Sequence, residues 1–379
     1  MSLIRNYKTD KSVPPPKQLL NFIRTSNKYT SIWQYLKRYQ NVEFVKLRLK
    51  QEYPSLSTRL ITTKSRHIAD AVRQSEAYFN TAQSTELAIK PLIVYYGMMN
   101  LVKALIMFGD NKYTLNVTTL EKSGIAQHGL SIQGKNPNDY SVRNNQNDLL
   151  NEFCYVQKRN SIFKLLHRCW SSVDLNTNMR FSINKLALSH PYSWKLVNNV
   201  THEVPNFFLA DGGFRKATKI EQAITLSSVT QFSIYKKPQS VDAWDYLEQL
   251  LPKLKTLYDR NPNSAFSYVS KNTPSTIDEI YSINKSIAGE SYLIGDFDVD
   301  NKKLMFTPIE VEYMSMFILG SLTRYAPQKW LKNVRYEGGT EMSLLEGLVN
   351  STIISFPKMI LEELDGENYT VAGDVFYWD

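Results

Sequence analysis

Tyr96, Asn100 and Lys103 fall at positions i, i+4 and i+7 of an otherwise apolar run, and that spacing lines them up on one face of a helix. A lysine there has to be paired or reach water, because burying an ammonium alone is costly. Two roles meet the requirement: a site for an anion or nucleotide, or a polar network tying helices together. Arg324 shares a helical face with Tyr313, Phe317 and Gly320. Its guanidinium fork suits a phosphate or carboxylate, and equally a structural ion pair. With His128 these residues make one candidate set: Tyr96, Asn100, Lys103, His128 and Arg324.

A second set is marked by charge. The chain has 379 residues and a net charge of +9. Residues 1–75 hold 15 Lys/Arg against 4 Asp/Glu, a net of +11, while the remaining 304 residues hold 30 basic and 32 acidic groups, a net of −2. After Lys358 no basic residue occurs, and six acidic ones do. Lys37, Arg38, Lys46, Arg48 and Lys50 are the candidate contacts for nucleic acid or an acidic partner surface. The acidic tail of this chain, or of a neighbouring copy, is the other negative partner available.

Other chemistry is missing its residues. No P-loop, dinucleotide fingerprint or HExxH motif occurs. His167 and Cys169 would need distant ligands to complete a zinc site, and Cys154 is the only other thiol. Asp296, Asp298 and Asp300 imitate the opening of a calcium loop, but Asn301 stands where glycine belongs and Thr307 where glutamate belongs. Asp300-Asn301-Lys302 has the DxK spacing of half a metal-nuclease triad, which a turn produces by chance. No metal and no cofactor is expected.

The elements that must hold these residues read as mainly helical. Ser12–Lys17 is a polyproline leader. Helical periodicity runs from Gln18 through Leu36, over 42–53 and over 61–83, then from Pro91 to Phe108 with Gly109 as its stop. Residues 110–145 are turn-rich, and helical spacing resumes over 148–170 and 177–200. Short runs containing Val204, Phe207, Phe208, Ile224, Leu226, Val229, Phe232 and Ile234 suit strands, and a helix follows from Val241. A hairpin is predicted over 291–306. Thr307-Pro308-Ile309-Glu310 is a capped helix start, and Pro327 ends that helix near Tyr325. A last helix covers 341–364.

The fold class is therefore mainly α, a multi-helix bundle with a small antiparallel β insertion (α+β). Its expected divisions are 1–17, an extended basic leader; 18–200, helical; 201–306, mixed α/β; and 307–379, a C-terminal helical region packing back on 61–109. Two cysteines fit a reducing compartment. The N-terminus lacks the apolar stretch of a signal peptide, and Pro91–Phe108 is interrupted by Asn100 and Lys103, so no membrane partner and a cytoplasmic location are expected.

Two stretches carry a family resemblance. KPLIVYYGMMNLVKA (Lys90–Ala104), followed by His128-Gly129-Leu130, is similar to the YaaC-like family, and so is EYMSMFILGSLTRYAPQKW (Glu312–Trp330). The resemblance implies a bacterial cytoplasmic protein and carries no established reaction. Three functions follow as expectations. The first is a binding component for nucleic acid or protein, within a defence or stress system. The second is a hydrolase acting on nucleic acid or nucleotide through Lys103, His128 and Arg324. The third is an oligomerising scaffold, a homo-oligomer or a partner-bound one. For the hydrolase, nucleotide-binding helical RNases of the HEPN type use Arg, four to six residues, then His. None of the five histidines has that offset; Arg159 to His167 and Arg59 to His67 each leave seven between.

Overall fold

The computed structural model describes residues 20–109, 128–133, 149–157, 161–169, 175, 179–190, 306–337 and 339–372, together with short strands between 207 and 304. It is mostly helical with small antiparallel sheets. Strand β1 (Leu20–Arg24) leads into α1 (Lys28–Leu36), α2 (Val42–Glu52) and α3 (Thr58–Ser84). Each of these helices starts on a polar side chain that takes up free backbone donors. Asn27 accepts from the Thr30 amide, Asn41 from Glu43 and Phe44, and Ser57 from Leu60. Ile61, Ile68, Val72, Phe79 and Ala82 form the buried stripe of α3.

That stripe meets α4 (Lys90–Gly109), which is buried almost all round because α3, α7 (Pro308–Tyr325) and α9 (Gly339–Asp365) pack against it. The short α8 (Pro327–Lys332) follows α7 directly. Helices α4 and α9 are long and apolar enough to cross a membrane, but 72% of the most apolar window of each is buried inside the fold, which suits core helices. Thr307 and Glu310 close the capping box at the start of α7, with Pro308 in its first turn.

Gly97 and Gly320 serve different contacts. A Cβ on Gly97 would lie 2.8 Å from the Phe79 ring of α3, so this glycine admits α3. At Gly320, which faces α4, the nearest atoms would be 3.5 Å away, an ordinary contact.

Three segments depart from the helical reading. β1 replaces the expected helix start after Gln18 and pairs in parallel with β14 (Asn368–Ala372), Ile23 opposite Val371; a partner 348 positions away leaves no local signal. Residues 148–170 and 177–200 do not form two helices. Among their described residues are β3 (Phe153–Val156), α5 (Ile162–His167), β4 (Arg180–Ser182) and α6 (Ile183–Leu188). Strands β3 and β4 pair antiparallel, with β2 (Leu130–Ser131) on the other side of β3. Phe153, Cys154, Tyr155 and Val156 are all buried, and a fully buried strand shows the same apolar run as a buried helix.

The β region holds β5 (Phe207–Ala210), β6 (Lys216–Ala217), β7 (Glu221–Thr225), β8 (Tyr258–Arg260), β9 (Ser267–Ser270), β10 (Asn284–Lys285), β11 (Ser291–Ile294), β12 (Phe297–Val299) and β13 (Lys302–Leu304). The hairpin predicted over 291–306 is shorter than expected. β12 pairs with β13, while β11 pairs with β5 and β10. The leader at 1–17, the helix from Val241, and Val204, Leu226, Val229, Phe232 and Ile234 lie outside the described residues.

Candidate functional site

Where α7 crosses α4, Tyr95 Oη donates to Tyr313 Oη at 3.1 Å and lies 2.8 Å from His128 Nδ1. Tyr95 and Tyr313 are buried, and burial raises both phenols well above their usual range, so they stay protonated. The Nδ1 contact admits two tautomers, and the one in which Tyr95 accepts from Nδ1–H leaves the imidazole lone pair on Nε2.

His128 itself is fixed from behind. Its carbonyl accepts from the Phe163 amide at 3.3 Å at the start of α5, and the next residue, Gly129, has φ +83° and accepts from the Gln157 amide at 3.0 Å. Phe317 of α7 adds a ring contact at 6.0 Å.

The imidazole is half-buried, and its pKa lies below the ordinary histidine value. Burial is the main cause; the positive charges of Lys103 and Arg324 add to it. Lys103 and Arg324 thus each bear electrostatically on His128. Arg324, at the exposed end of α7, donates to Tyr96 Oη at 3.3 Å, and its guanidinium sits 5.1 Å from the Tyr325 ring. Asn100 is buried on α4 between Tyr96 and Lys103. The structure thus links His128, Tyr95, Tyr96 and Arg324 at one half-open place, and Asn100 and Lys103 follow Tyr96 along the same helix. The sequence reading passed over Tyr95, although it adjoins Tyr96, because an aromatic on the apolar face looks like core.

The second set goes elsewhere. Arg38 pairs with Asp365 at 2.7 Å, and Arg48 donates to the carbonyls of Leu364 and Asp365 at 3.2 Å each. Lys37 pairs with Glu76 at 3.0 Å and Lys46 with Glu43 at 2.7 Å. Of the five, Lys50 is exposed without such a contact among the described residues. Four of the five candidate cations therefore have partners within the chain, and two of them, Arg38 and Arg48, hold the acidic end of α9.

Sequence reading also missed a row of buried carboxylates. Glu310 Oε1 lies 2.6 Å from His167 Nδ1, while its Oε2 accepts from the Thr307 amide and hydroxyl. Glu312 Oε1 lies 2.8 Å from His190 Nε2 and accepts from Ser355 Oγ at 2.5 Å. Ser355 gives its proton to the carboxylate rather than to an imidazole, so the order needed for a serine nucleophile is not present. Lys329 meets Glu152. The two glutamates of α7 tie it to α5, to the segment after α6 and to α9, which is the structural use of buried charge. Burial pushes the Cys154 thiol up, away from thiolate chemistry. Among the described residues no three His, Cys, Asp or Glu side chains are grouped to hold a metal.

A family model described as YaaC-like protein matches residues 34–364, a span that includes every element of the α4/α7 site. No curated protein matches the chain, and no solved structure does.

Proposed function

This chain belongs to the YaaC-like family, and from that premise we propose that it binds phosphate-bearing molecules, nucleic acid or nucleotide, at the α4/α7 site. What supports this reading is Arg324, exposed and bonded to Tyr96 beside the Tyr95–His128 pair, with Lys103 adding positive charge at the imidazole. An anion beside these two cations is attracted by both charges, and it favours a proton on His128 Nε2, which then donates to it. This moves the binding role away from Lys37, Arg38, Lys46 and Arg48, which already have partners within the chain.

Inorganic pyrophosphate is the plainest probe. Calorimetry on the full chain should show binding that Arg324→Ala and Lys103→Ala each weaken and that Arg38→Ala leaves unchanged. Two phosphate contacts give a salt slope near −1.4, so affinity for a phosphorylated single strand should fall about sevenfold from 50 to 200 mM salt. Pyrophosphate binding that ignores Arg324 and Lys103 removes the proposal.

A hydrolytic role is the second reading, favoured by the lone pair on His128 Nε2 beside two cations. Such a base takes a proton from water attacking phosphorus while the cations stabilise the charge that develops. Cleavage of a phosphodiester by the wild-type chain and its loss in His128→Asn is the check; equal cleavage by both rules it out.

A further inference from the structure

The polar cluster is bordered by exposed aromatic rings that the fold does not need. Tyr78 of α3 is 38% exposed and Tyr325, the last residue of α7, is 56% exposed. The Tyr78 ring lies 5.9 Å from Tyr96, Tyr96 Oη takes a hydrogen bond from Arg324, and Arg324 lies over the Tyr325 ring. The contacts run Tyr78, Tyr96, Arg324, Tyr325 across three helices: ring, phenol, cation, ring. Large exposed aromatics cost solvation, and here one lies against the Arg324 guanidinium while the other reaches it through Tyr96.

We infer that the ligand of this site is single-stranded nucleic acid, held over about two nucleotides, with its bases stacked on Tyr78 and Tyr325 and the phosphate between them on Arg324. This rests on the phosphate-binding reading of the same site and adds the substrate class. Unpaired bases present π faces to aromatic rings whatever their identity, so the recognition is tolerant of sequence. A duplex hides those faces and does not fit. One ring under the cation and a second ring one phenol away from it match a base–phosphate–base step, whereas a free mononucleotide would use one ring. The contact is short because Arg38 and Arg48 are held at Asp365, near the far end of α4. There Tyr39, a partner of Asp365, packs on Phe108, 12 residues or about 18 Å along the helix from Tyr96.

The test uses fluorescence anisotropy on the full chain with four probes: a labelled mixed-sequence single strand, the same strand made abasic, its duplex, and labelled ATP. Pyrophosphate binding is measured in parallel. Tyr78→Leu and Tyr325→Leu should each weaken the mixed strand by about fivefold or more, the loss of one base stack, and leave pyrophosphate and the abasic strand unchanged. Tyr78→Phe and Tyr325→Phe keep a ring and should keep the affinity, which separates stacking from misfolding. The inference is overturned if the abasic strand or the duplex binds as well as the mixed strand, if both leucine variants bind it normally, or if ATP binds as tightly as the strand. Intact pyrophosphate binding in any of these cases leaves the phosphate site standing, whereas its loss in the wild-type chain sinks both.

Discussion

Arg38 and Asp365 stand 327 positions apart in the chain and meet at 2.7 Å, so one cation of the basic start pairs with one carboxylate of the acidic end within one molecule. Asp365 does more than pair with Arg38. Tyr39 Oη and Tyr369 Oη each donate to it at 2.7 Å, and Arg48 caps the carbonyls beside it. The parallel pairing of β1 with β14 lies next to this knot and closes the same end of the fold.

Removing the two ends of that contact should have unequal consequences. Arg38 is 41% exposed at its side chain, so Arg38→Ala costs about 0–1 kcal/mol. Asp365→Ala leaves the buried Tyr39 hydroxyl without its acceptor, and such an orphaned group costs about 1–3 kcal/mol. Urea denaturation of the two variants measures the difference. Equal losses would mean that the ion pair, not the phenol, carries the energy.

His128 gives a pH-dependent prediction whose sign is fixed by its lowered pKa. The unfolded chain takes up a proton near the free value of about 6.5, before the folded chain does. The contribution to stability is therefore present above about pH 6.5 and is lost as pH falls toward the folded-state value. Pyrophosphate offsets the charges of Lys103 and Arg324, so it should raise the His128 pKa and be bound with proton uptake. Titration of the His128 ring signal by NMR, assigned with His128→Asn, reads both effects. A ring that titrates at or above 6.5 without ligand contradicts the electrostatics described.

Much of the helical frame could be read from the residues because its signals are local. Thr307, Pro308 and Glu310 state the start of α7 within four positions, and Pro327 states its end. The polar face of α4 followed from three residues at helical spacing. What stayed hidden depended on distant partners. β1 needs β14 to be a strand, and the four buried residues of β3 look alike in helix and sheet. The fate of Arg38 and Arg48 required knowing where Asp365 lands, which no count of charges reveals. His167 and His190 were visible as residues, but their carboxylates are 143 and 122 positions away.

Gly97 and Gly320 should respond with opposite signs to the same change. Alanine at Gly97 meets the Phe79 ring at 2.8 Å, and that ring is fully buried against Trp33 at 5.6 Å, with little room to retreat. Overpacking costs about 1–3 kcal/mol, and the helix preference of alanine returns about 1. Gly320→Ala meets its neighbours at 3.5 Å and keeps the helix gain, so it should be neutral or stabilising by about 0.5–1 kcal/mol. Denaturant midpoints of the two variants settle the matter; a destabilised Gly320→Ala would show that α4 and α7 are closer in solution.

Gly129 sets the position of His128, and its replacement should be felt at the imidazole as well as in stability. At φ +83° an L residue bears about 1–2 kcal/mol of strain. A Cβ there would also lie 2.1 Å from Ser161 Oγ, the atom that caps α5 by accepting from the Lys164 amide at 3.4 Å. The loop must move, and it carries the carbonyl that Phe163 holds and the ring that Tyr95 holds. Gly129→Ala should therefore destabilise by more than about 2 kcal/mol and let the His128 pKa drift back toward the free value. Adding Ser161→Gly relieves the collision but not the backbone, so recovery should be partial. Full recovery in the double variant would assign the effect to the contact alone. A single variant with unchanged His128 titration would show that the imidazole is positioned by Tyr95 and not by this turn.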